Sequence, residues 1–485
     1  MKKITKKQPL VLLAIALLLI TLSWWGAIAA RTGLIVRSLH RNNIPMLYIA
    51  PKNAQKVPGV LVAHGFAGSK QLMLGYGHVL AHAGYAVMLW DFGGHGANPA
   101  PLKGFSLQKD LDIATNVLLA QPEVDSGRLA LLGHSMGSGA VMSAGIQKRD
   151  RFAATIAVSP TGADVTPTTP RNLQLQAGSW EGGFINNAQR LLKMAGGENS
   201  NLVQRRGREL VIIPNVEHIT ILFSNPSYQA ARRWLDATFG VQNNSNYIDR
   251  RMIWYSLHLL AWLILLAAIA PSFISDVPKT KVVKIRSWFG LLLAPFAAIS
   301  VVSAISQQGE IANLGGLMVG GALGIWFFVA GIVWLCIIWR LPRPTIKRVG
   351  LGLGLFAILW IAFGAMAQVV WLQWWLIPTR LKLFPLLSLA CFPWFLASGI
   401  SQQGASIVKR IAWWLLETTI LVSSLFLTVF LVPQLGFIYL ILPIFPLVMA
   451  ILHLAAAQIK EGWSYGIGSA IFFGWMLAAA FPLAA

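Results

Sequence analysis

Apolar positions divide this chain into three stretches with different spacing. Residues 9–30 form one unbroken apolar run behind a basic start, Met1-Lys2-Lys3-Ile4-Thr5-Lys6-Lys7. Residues 31–250 mix charges and turns with short apolar runs of strand length, separated by stretches of helical spacing. From Met252 onwards, apolar runs long enough to cross a bilayer follow one another. The pattern predicts an N-terminal transmembrane anchor or signal over 1–30, a soluble domain over 31–250, and a polytopic membrane domain of about eight helices over 251–485.

Within the middle stretch the strand-like runs are Val57–Ala63, Tyr85–Trp90, Arg128–Leu132, Ala153–Val158, Leu173–Gln176 and Glu209–Ile213. Alternation with helical stretches predicts an α/β fold, a doubly wound, mostly parallel sheet covered by helices. Each run ends in a polar or glycine-rich cluster: His64-Gly65-Phe66-Ala67-Gly68-Ser69, Asp91-Phe92-Gly93-Gly94-His95-Gly96, Gly133-His134-Ser135-Met136-Gly137, Ser159-Pro160, Gly178-Ser179-Trp180-Glu181, and the residues before His218. Open α/β sheets place their sites at the C-terminal ends of the strands, where these clusters fall.

Composition sharpens the membrane reading. The chain has 485 residues, of which 56% are hydrophobic and 12% charged, and a formal net charge of +22. That excess is not a nucleic-acid footprint, because no basic stripe interleaved with aromatics runs through the soluble stretch. Instead, basic residues flank apolar segments: Lys279, Lys281, Lys284 and Arg286; Arg340, Arg343, Lys347 and Arg348; Lys409 and Arg410. Such clusters mark cytoplasmic loops. With residues 2–7 inside, segment 9–30 leads outward and the soluble domain lies on the extracytoplasmic side of a bacterial-type cytoplasmic membrane. Further segments near 252–271, 288–305, 311–339, 349–377, 384–400, 411–432, 435–457 and 463–483 bring the count to about nine spans. Arg250, Arg251, Arg380 and Lys382 then fall outside, against the rule. Ala27-Ile28-Ala29 resembles a signal-peptide cleavage site, but the length of the apolar run favours an uncleaved anchor. The two cysteines, Cys336 and Cys391, lie in apolar segments and form no disulfide framework or metal site.

Tryptophans near segment ends, among them Trp254, Trp288, Trp339, Trp374, Trp375, Trp413 and Trp414, read as interface anchors. Glu417 is a carboxylate inside an apolar run. It is read first as a neutral or snorkelling residue near the cytoplasmic interface, with a polar intramembrane site as the alternative. Ser306-Gln307-Gln308-Gly309 recurs as Ser401-Gln402-Gln403-Gly404, which hints at an inverted duplication.

The three glycine-rich clusters together resemble the α/β-hydrolase superfamily, over roughly residues 45–240. Gly133-His134-Ser135-Met136-Gly137, between a strand and a helix, is the nucleophile elbow. The resemblance implies a triad in the order serine, acid, histidine. Ser135 is then the nucleophile, and His218, after the last strand, the base. Glu181, after the penultimate strand, is the acid, with Asp164, one strand earlier, as the alternative. Backbone N–H groups of Phe66 and Met136 form the expected oxyanion hole. His64, His95 and His134 are expected to orient loops, Asp91 to tie its glycine turn together, and Glu217 to be a solvated neighbour. The connection from Val158 to Leu173 is a short Pro/Thr-rich loop, with no room for a helical lid.

These readings converge on a membrane-embedded extracytoplasmic serine hydrolase, esterase- or lipase-like. It is expected to cleave a carboxylic ester, a lipid or lipid-linked acyl ester in particular, through an acyl-serine intermediate. No cofactor or metal is implied, and the expected partners are an acyl-ester substrate and membrane lipids, not nucleic acid. The alternatives are an acyltransferase with the same triad, or a transporter or membrane assembly protein whose hydrolase-like domain is not catalytic.

Overall fold

A computed structural model describes residues 7–103, 106–274, 284–339 and 341–485. Lys2, Lys3, Lys6, Lys279, Lys281 and Arg340, which carry part of the charge pattern, lie outside the described residues. The chain forms two compact units. One holds residues up to Trp25, Ile253–Ala367 and Leu376–Ala484; the other holds Gly26–Met252, Gln368–Trp375 and Ala485.

The second unit is built on an eight-stranded sheet. Its strands are β1 (Leu34–Arg41), β2 (Ile44–Pro51), β3 (Val57–Ala63), β4 (Ala86–Trp90), β5 (Val124–His134), β6 (Ala154–Val158), β7 (Leu173–Gly178) and β8 (Arg208–Ile213), in the order β1-β2-β4-β3-β5-β6-β7-β8. From β4 to β8 all neighbours run parallel, while β1 and β2 pair antiparallel with each other and β2 antiparallel with β4. Helices interleave with the strands after α1 (Lys7–Ala29): α2 (Leu74–His82), α3 (Ser106–Leu119), α4 (Met136–Gln147), α5 (Gly182–Met194) and α6 (Asn225–Phe239).

The β1–β2 hairpin is an addition to the six runs read from the sequence. Arg41 pairs with Ile44, so Asn42 and Asn43 alone make the turn, at φ 51 and φ 62. Two left-handed residues match the twist of a two-residue hairpin, and asparagine tolerates that conformation.

Alternate residues of the central strands face opposite layers. Val60, Val62, Val87, Leu89, Ala130 and Leu132 pack with Leu74 and Leu80 of α2 and Ala231 and Leu235 of α6. Leu61, Met88, Trp90, Leu129 and Leu131 pack with Leu111, Ala114 and Leu118 of α3 and Val141 and Ala144 of α4. Strands covered on both faces must be apolar throughout, which is why β4 and β6 read as unbroken runs.

Nine helices among the described residues are long and apolar enough to cross a membrane, and three of them run across a boundary between the two units. The nine are Pro9–Ala29, Arg251–Pro271, Ile285–Gln308, Gly320–Ile338, Ile346–Val370, Pro378–Ser401, Ile407–Leu431, Pro433–Ile459 and Gly462–Ala480. Pro378–Ser401 packs closely against Gly462–Ala480 and Gly320–Ile338. Glycine permits the approach: a Cβ on Gly331 would lie 2.2 Å from the Trp394 nitrogen, and one on Gly466 2.8 Å from the Leu396 Cα. The two Ser-Gln-Gln-Gly copies both fall at the C-terminal ends of spans that contain a proline, Pro295 in one and Pro393 in the other.

Two of the arginines that break the charge rule are structurally occupied. Arg380 is 1% exposed and donates to the carbonyls of Ala478 (2.5 Å) and Phe481 (2.7 Å), at the unsatisfied C-terminal end of the last helix. Arg251 is 3% exposed and pairs with Asp249 at 2.5 Å.

Arg380→Met should therefore cost about 2–4 kcal/mol, since two charge-assisted bonds are lost and two buried carbonyls are left bare. Thermal unfolding of the detergent-solubilised protein, followed by tryptophan fluorescence, should show a lowered midpoint. An unchanged midpoint would mean that the cap is not stabilising.

Candidate active site

The sheet's C-terminal edge gathers the six sequence clusters. β5 ends at His134 and α4 starts at Met136, so Ser135 alone turns the chain, at φ 52 and ψ −119. A side chain at position 133 or 137 would forbid this turn. A Cβ on Gly133 would stand 2.3 Å from the Gly137 carbonyl oxygen, and one on Gly137 would stand 2.5 Å from the His64 oxygen. The turn is pinned from outside by Ser138 Oγ, which donates to the Ser135 carbonyl at 2.5 Å and accepts the Thr161 N–H at 3.0 Å.

Ser135 Oγ lies 3.1 Å from His218 Nε2, and His218 Nδ1 lies 2.7 Å from Glu181 Oε1. Nδ1–H donating to the carboxylate leaves the Nε2 lone pair facing the serine hydroxyl. All three side chains are buried, at 8%, 5% and 5% exposure. The other oxygen of Glu181 accepts Ser159 Oγ at 2.9 Å and the Gly178 N–H at 2.6 Å. Gly178 also lets the β7 end approach the histidine loop, since a Cβ there would lie 2.4 Å from the Val216 oxygen. Phe184, in the first turn of α5, stacks on the His218 ring at 4.4 Å and 21°.

The structure therefore brings Ser135, His218 and Glu181 together. Asp164 stays exposed in the loop after β6, and it is Glu181 that bonds His218 Nδ1. Glu217 is more than a solvated neighbour: its carboxylate accepts the N–H groups of Ile219 and Thr220 at 2.8 Å each, which shapes the loop that carries His218.

The oxyanion candidates flank the serine. Met136 opens α4, where helical N–H groups have no carbonyl partner within the helix. The Phe66 loop is pressed against the elbow: a Cβ on Gly65 would lie 2.8 Å from His134 Nδ1 and 3.1 Å from the Ser135 Cβ. This loop is held by its neighbours. Asp91 is fully buried; it accepts the Lys70 N–H at 2.8 Å, pairs with Lys70 Nζ at 2.5 Å, and accepts the Ala97 N–H at 2.9 Å. Lys70 and the glycine turn are thereby locked to each other. His64 Nε2 accepts the Phe92 N–H at 3.1 Å while Nδ1–H donates to the Gly65 carbonyl at 2.7 Å. His95 bonds the Gly93 carbonyl at 2.9 Å, and His134 Nε2–H donates to the His218 carbonyl at 3.0 Å.

Residues 54–252 match the family model described as serine aminopeptidase, S33. The sheet-bearing unit has the α/β-hydrolase fold. Two uncharacterized proteins of Mycobacterium tuberculosis, from strains H37Rv and CDC 1551 / Oshkosh, are each 32% identical to this chain over 91 residues, which is 19% of it. The match spans about a third of the length of these curated relatives, 32%. Among solved structures, a dienelactone hydrolase from Anabaena variabilis is 19% identical, with TM-score 0.33, over 42% of this chain and 97% of its own. A Pyrobaculum calidifontis esterase is 14% identical, with TM-score 0.33, over 48% of this chain and 98% of its own.

Ser159, Phe184 and Ser138 were not singled out from the sequence of this hydrolase unit. Ser159 carried a usable signal, a polar residue directly at a strand end; it adopts φ 46 to reach Glu181. Among the described residues, no group of three or more His, Cys, Asp or Glu side chains converges as a metal site.

In the membrane unit, Glu417 is fully buried and faces the bundle interior instead of snorkelling. Its Oε2 accepts Ser398 Oγ at 2.8 Å and lies 3.2 Å from His453 Nε2. Interior placement with a hydroxyl and an imidazole is how ionisable groups are accommodated in a bilayer.

Burial lowers the pKa of the His64 imidazole, holds that of His134 well below the ordinary histidine range, and takes His78 of α2 down to about 3. A depressed histidine pKa means that the unfolded chain binds the proton first, so stability is retained above about pH 6.5 and lost as pH falls below it. Each group contributes a slope of about 1.4 kcal/mol per pH unit in that window. Thermal melts of the hydrolase unit in the intact protein should fall steeply from pH 7 to pH 5. A flat profile would show that these rings are charged in the native state.

Proposed function

We propose that this protein is a membrane-embedded serine hydrolase that cleaves a carboxylic ester on the extracytoplasmic side through an acyl-Ser135 intermediate. The observation that carries the reading is the continuous line from Ser135 Oγ through His218 to Glu181, at 3.1 Å and 2.7 Å. A serine hydroxyl is a weak nucleophile until a base removes its proton as it attacks. His218 Nε2 takes that proton while Oγ bonds to the ester carbonyl carbon. The carbonyl oxygen becomes an oxyanion, bound by the N–H groups of Met136 and Phe66. Collapse breaks the carbon–oxygen bond of the ester, and His218 returns its proton to the departing alcohol. Water, deprotonated by the same nitrogen, then releases the acid. Glu181 keeps Nδ1 protonated and stabilises the imidazolium at each passage.

The side of the membrane is read from charge and span parity. The hydrolase unit follows one span, and residues 371–377 follow the fifth. Both therefore lie on the same side, which agrees with Gln368–Trp375 belonging to the hydrolase unit. Arg343, Lys347, Arg348, Lys409 and Arg410 then fall on the opposite side, which the positive-inside rule assigns to the cytoplasm. Arg251 and Arg380, like Arg348 and Arg410 on the other side, are ion-paired or carbonyl-bound and fixed by their partners; setting all four aside, Arg343, Lys347 and Lys409 keep the signal.

A fluorophosphonate probe should label the wild-type protein and leave Ser135→Ala unlabelled. No labelling of folded wild type would overturn the enzyme reading. Glu181→Gln should lower kcat toward an ester by about 10³–10⁴ while KM changes little, because the histidine loses the anion that orients it and stabilises its charge. An equal loss in Asp164→Asn would assign the acid to the other residue. A reporter fused after residue 250 should report an extracytoplasmic location; cytoplasmic signal there would reverse the placement.

A further inference from the structure

The connection between β6 and β7, residues 159–172, contains no helix that could cover the site. A different segment lies against the loops that flank Ser135. Gln368-Val369-Val370-Trp371-Leu372-Gln373-Trp374-Trp375 belongs to the hydrolase unit, although it joins the spans Ile346–Val370 and Pro378–Ser401. Its position is fixed by three kinds of contact. Gln71 Nε2 donates to Gln373 Oε1 at 2.6 Å, with both residues buried. Trp371 meets Phe223 edge to face, with ring centroids 6.4 Å apart. Arg251 Nη1 donates to the Val370 carbonyl at 3.2 Å.

Those anchor points are informative. Gln71 comes five residues after Phe66, and Phe223 five residues after His218. One short segment thus ties the loop of the oxyanion candidate to the loop of the base. It is also built to keep its shape: Gln368 Oε1 accepts the N–H groups of Trp374 (2.7 Å) and Trp375 (3.1 Å), and Gln373 Nε2 donates to the Trp375 carbonyl at 2.9 Å. The glutamines satisfy the backbone, and the remaining six of its eight side chains are apolar, three of them tryptophan. Of these, Trp374 is fully buried, while Trp371 and Trp375 keep accessible surface, and rigid aromatic surface contributes binding to an apolar substituent and none to a small polar one.

We propose that Gln368–Trp375 is the acyl-chain-binding cap of the hydrolase site, and that the substrate class is an ester with a long, lipid-like acyl chain. The proposal rests on the serine-hydrolase reading above. Because the segment continues directly into two spans, a chain held by it lies where the protein itself passes between water and lipid.

The full-length protein in detergent would be assayed with p-nitrophenyl palmitate and p-nitrophenyl acetate, with fluorophosphonate labelling as a separate report on the triad. Wild type should favour the palmitate in kcat/KM. Trp371→Ala should lower the palmitate-to-acetate ratio about tenfold or more, chiefly through KM, and Trp371→Phe should recover part of it. Independently of activity, the pair Gln71→Cys with Gln373→Cys should be joined by a short bis-thiol-reactive linker that spans the length of the two lost amide side chains, detected by mass spectrometry. An unmoved ratio in Trp371→Ala, or no cross-link between positions 71 and 373, overturns the cap. If Trp371→Ala does not fold, Trp371→Leu and the cross-link decide by the same criteria. Wild-type protein that neither labels nor cleaves either ester is a distinct result: it removes the serine-hydrolase reading itself, and the cap with it.

Discussion

The backbone of Ser135 is held where an L-residue rarely sits, and the rest of the site is arranged around that fact. A left-handed residue costs on the order of 1–3 kcal/mol, so it persists only where its surroundings leave no alternative. Here the surroundings are backbone atoms at closest approach. Gly133 meets the Gly137 carbonyl, Gly137 meets the ends of β3 and the His64 loop, and Gly65 meets Ser135 itself. Each missing side chain brings one more strand end or loop within reach of the hydroxyl. The burial of Val141 and Ala144 against the sheet offsets the strain, since a buried aliphatic side chain contributes about 1.5–3 kcal/mol.

The proposed acid shows a second consequence of tight packing. Glu181 carries one methylene more than an aspartate at the same turn, and that length must be controlled. Three donors control it: His218 Nδ1, Ser159 Oγ and the Gly178 N–H. A buried carboxylate with its lone pairs satisfied is held in one orientation. Ser159 comes from β6, Gly178 from β7 and His218 from the loop after β8, so the orientation of the base depends on three neighbouring strand ends. Sheet order enters the chemistry through this bond network.

How much of this could be read from the sequence follows from the range of each interaction. The central strands were legible because burial on both faces demands unbroken apolar runs, as in Val57–Ala63 and Ala154–Val158. The elbow was legible because its steric requirement acts within five residues. The β1–β2 hairpin was not singled out: its turn is Asn42-Asn43, without the glycine that usually announces such turns. The choice between Glu181 and Asp164 stayed open, since both follow strands and only the spatial order of β6, β7 and β8 decides which meets His218. Gln71 and Gln373 are further apart still. No local pattern announces an amide pair whose members are separated by 302 residues.

Charged residues of the membrane half are also clarified by their partners. A sequence count treats Arg251, Arg380 and Arg410 alike, as positive charges near span ends. The structure separates them by what they bind: Arg251 an aspartate, Arg380 the carbonyls that end the last helix, and Arg410 the Ala405 carbonyl. A charge committed to a buried protein partner gains its stabilisation from that partner and says little about the membrane face. By that measure Arg251 and Arg380 leave the count on the hydrolase side, and Arg348, paired with Glu461 at 3.3 Å, and Arg410 leave it on the other. The positive-inside signal is therefore carried by whole clusters, three basic residues at 343–348 and two at 409–410, and not by any single arginine.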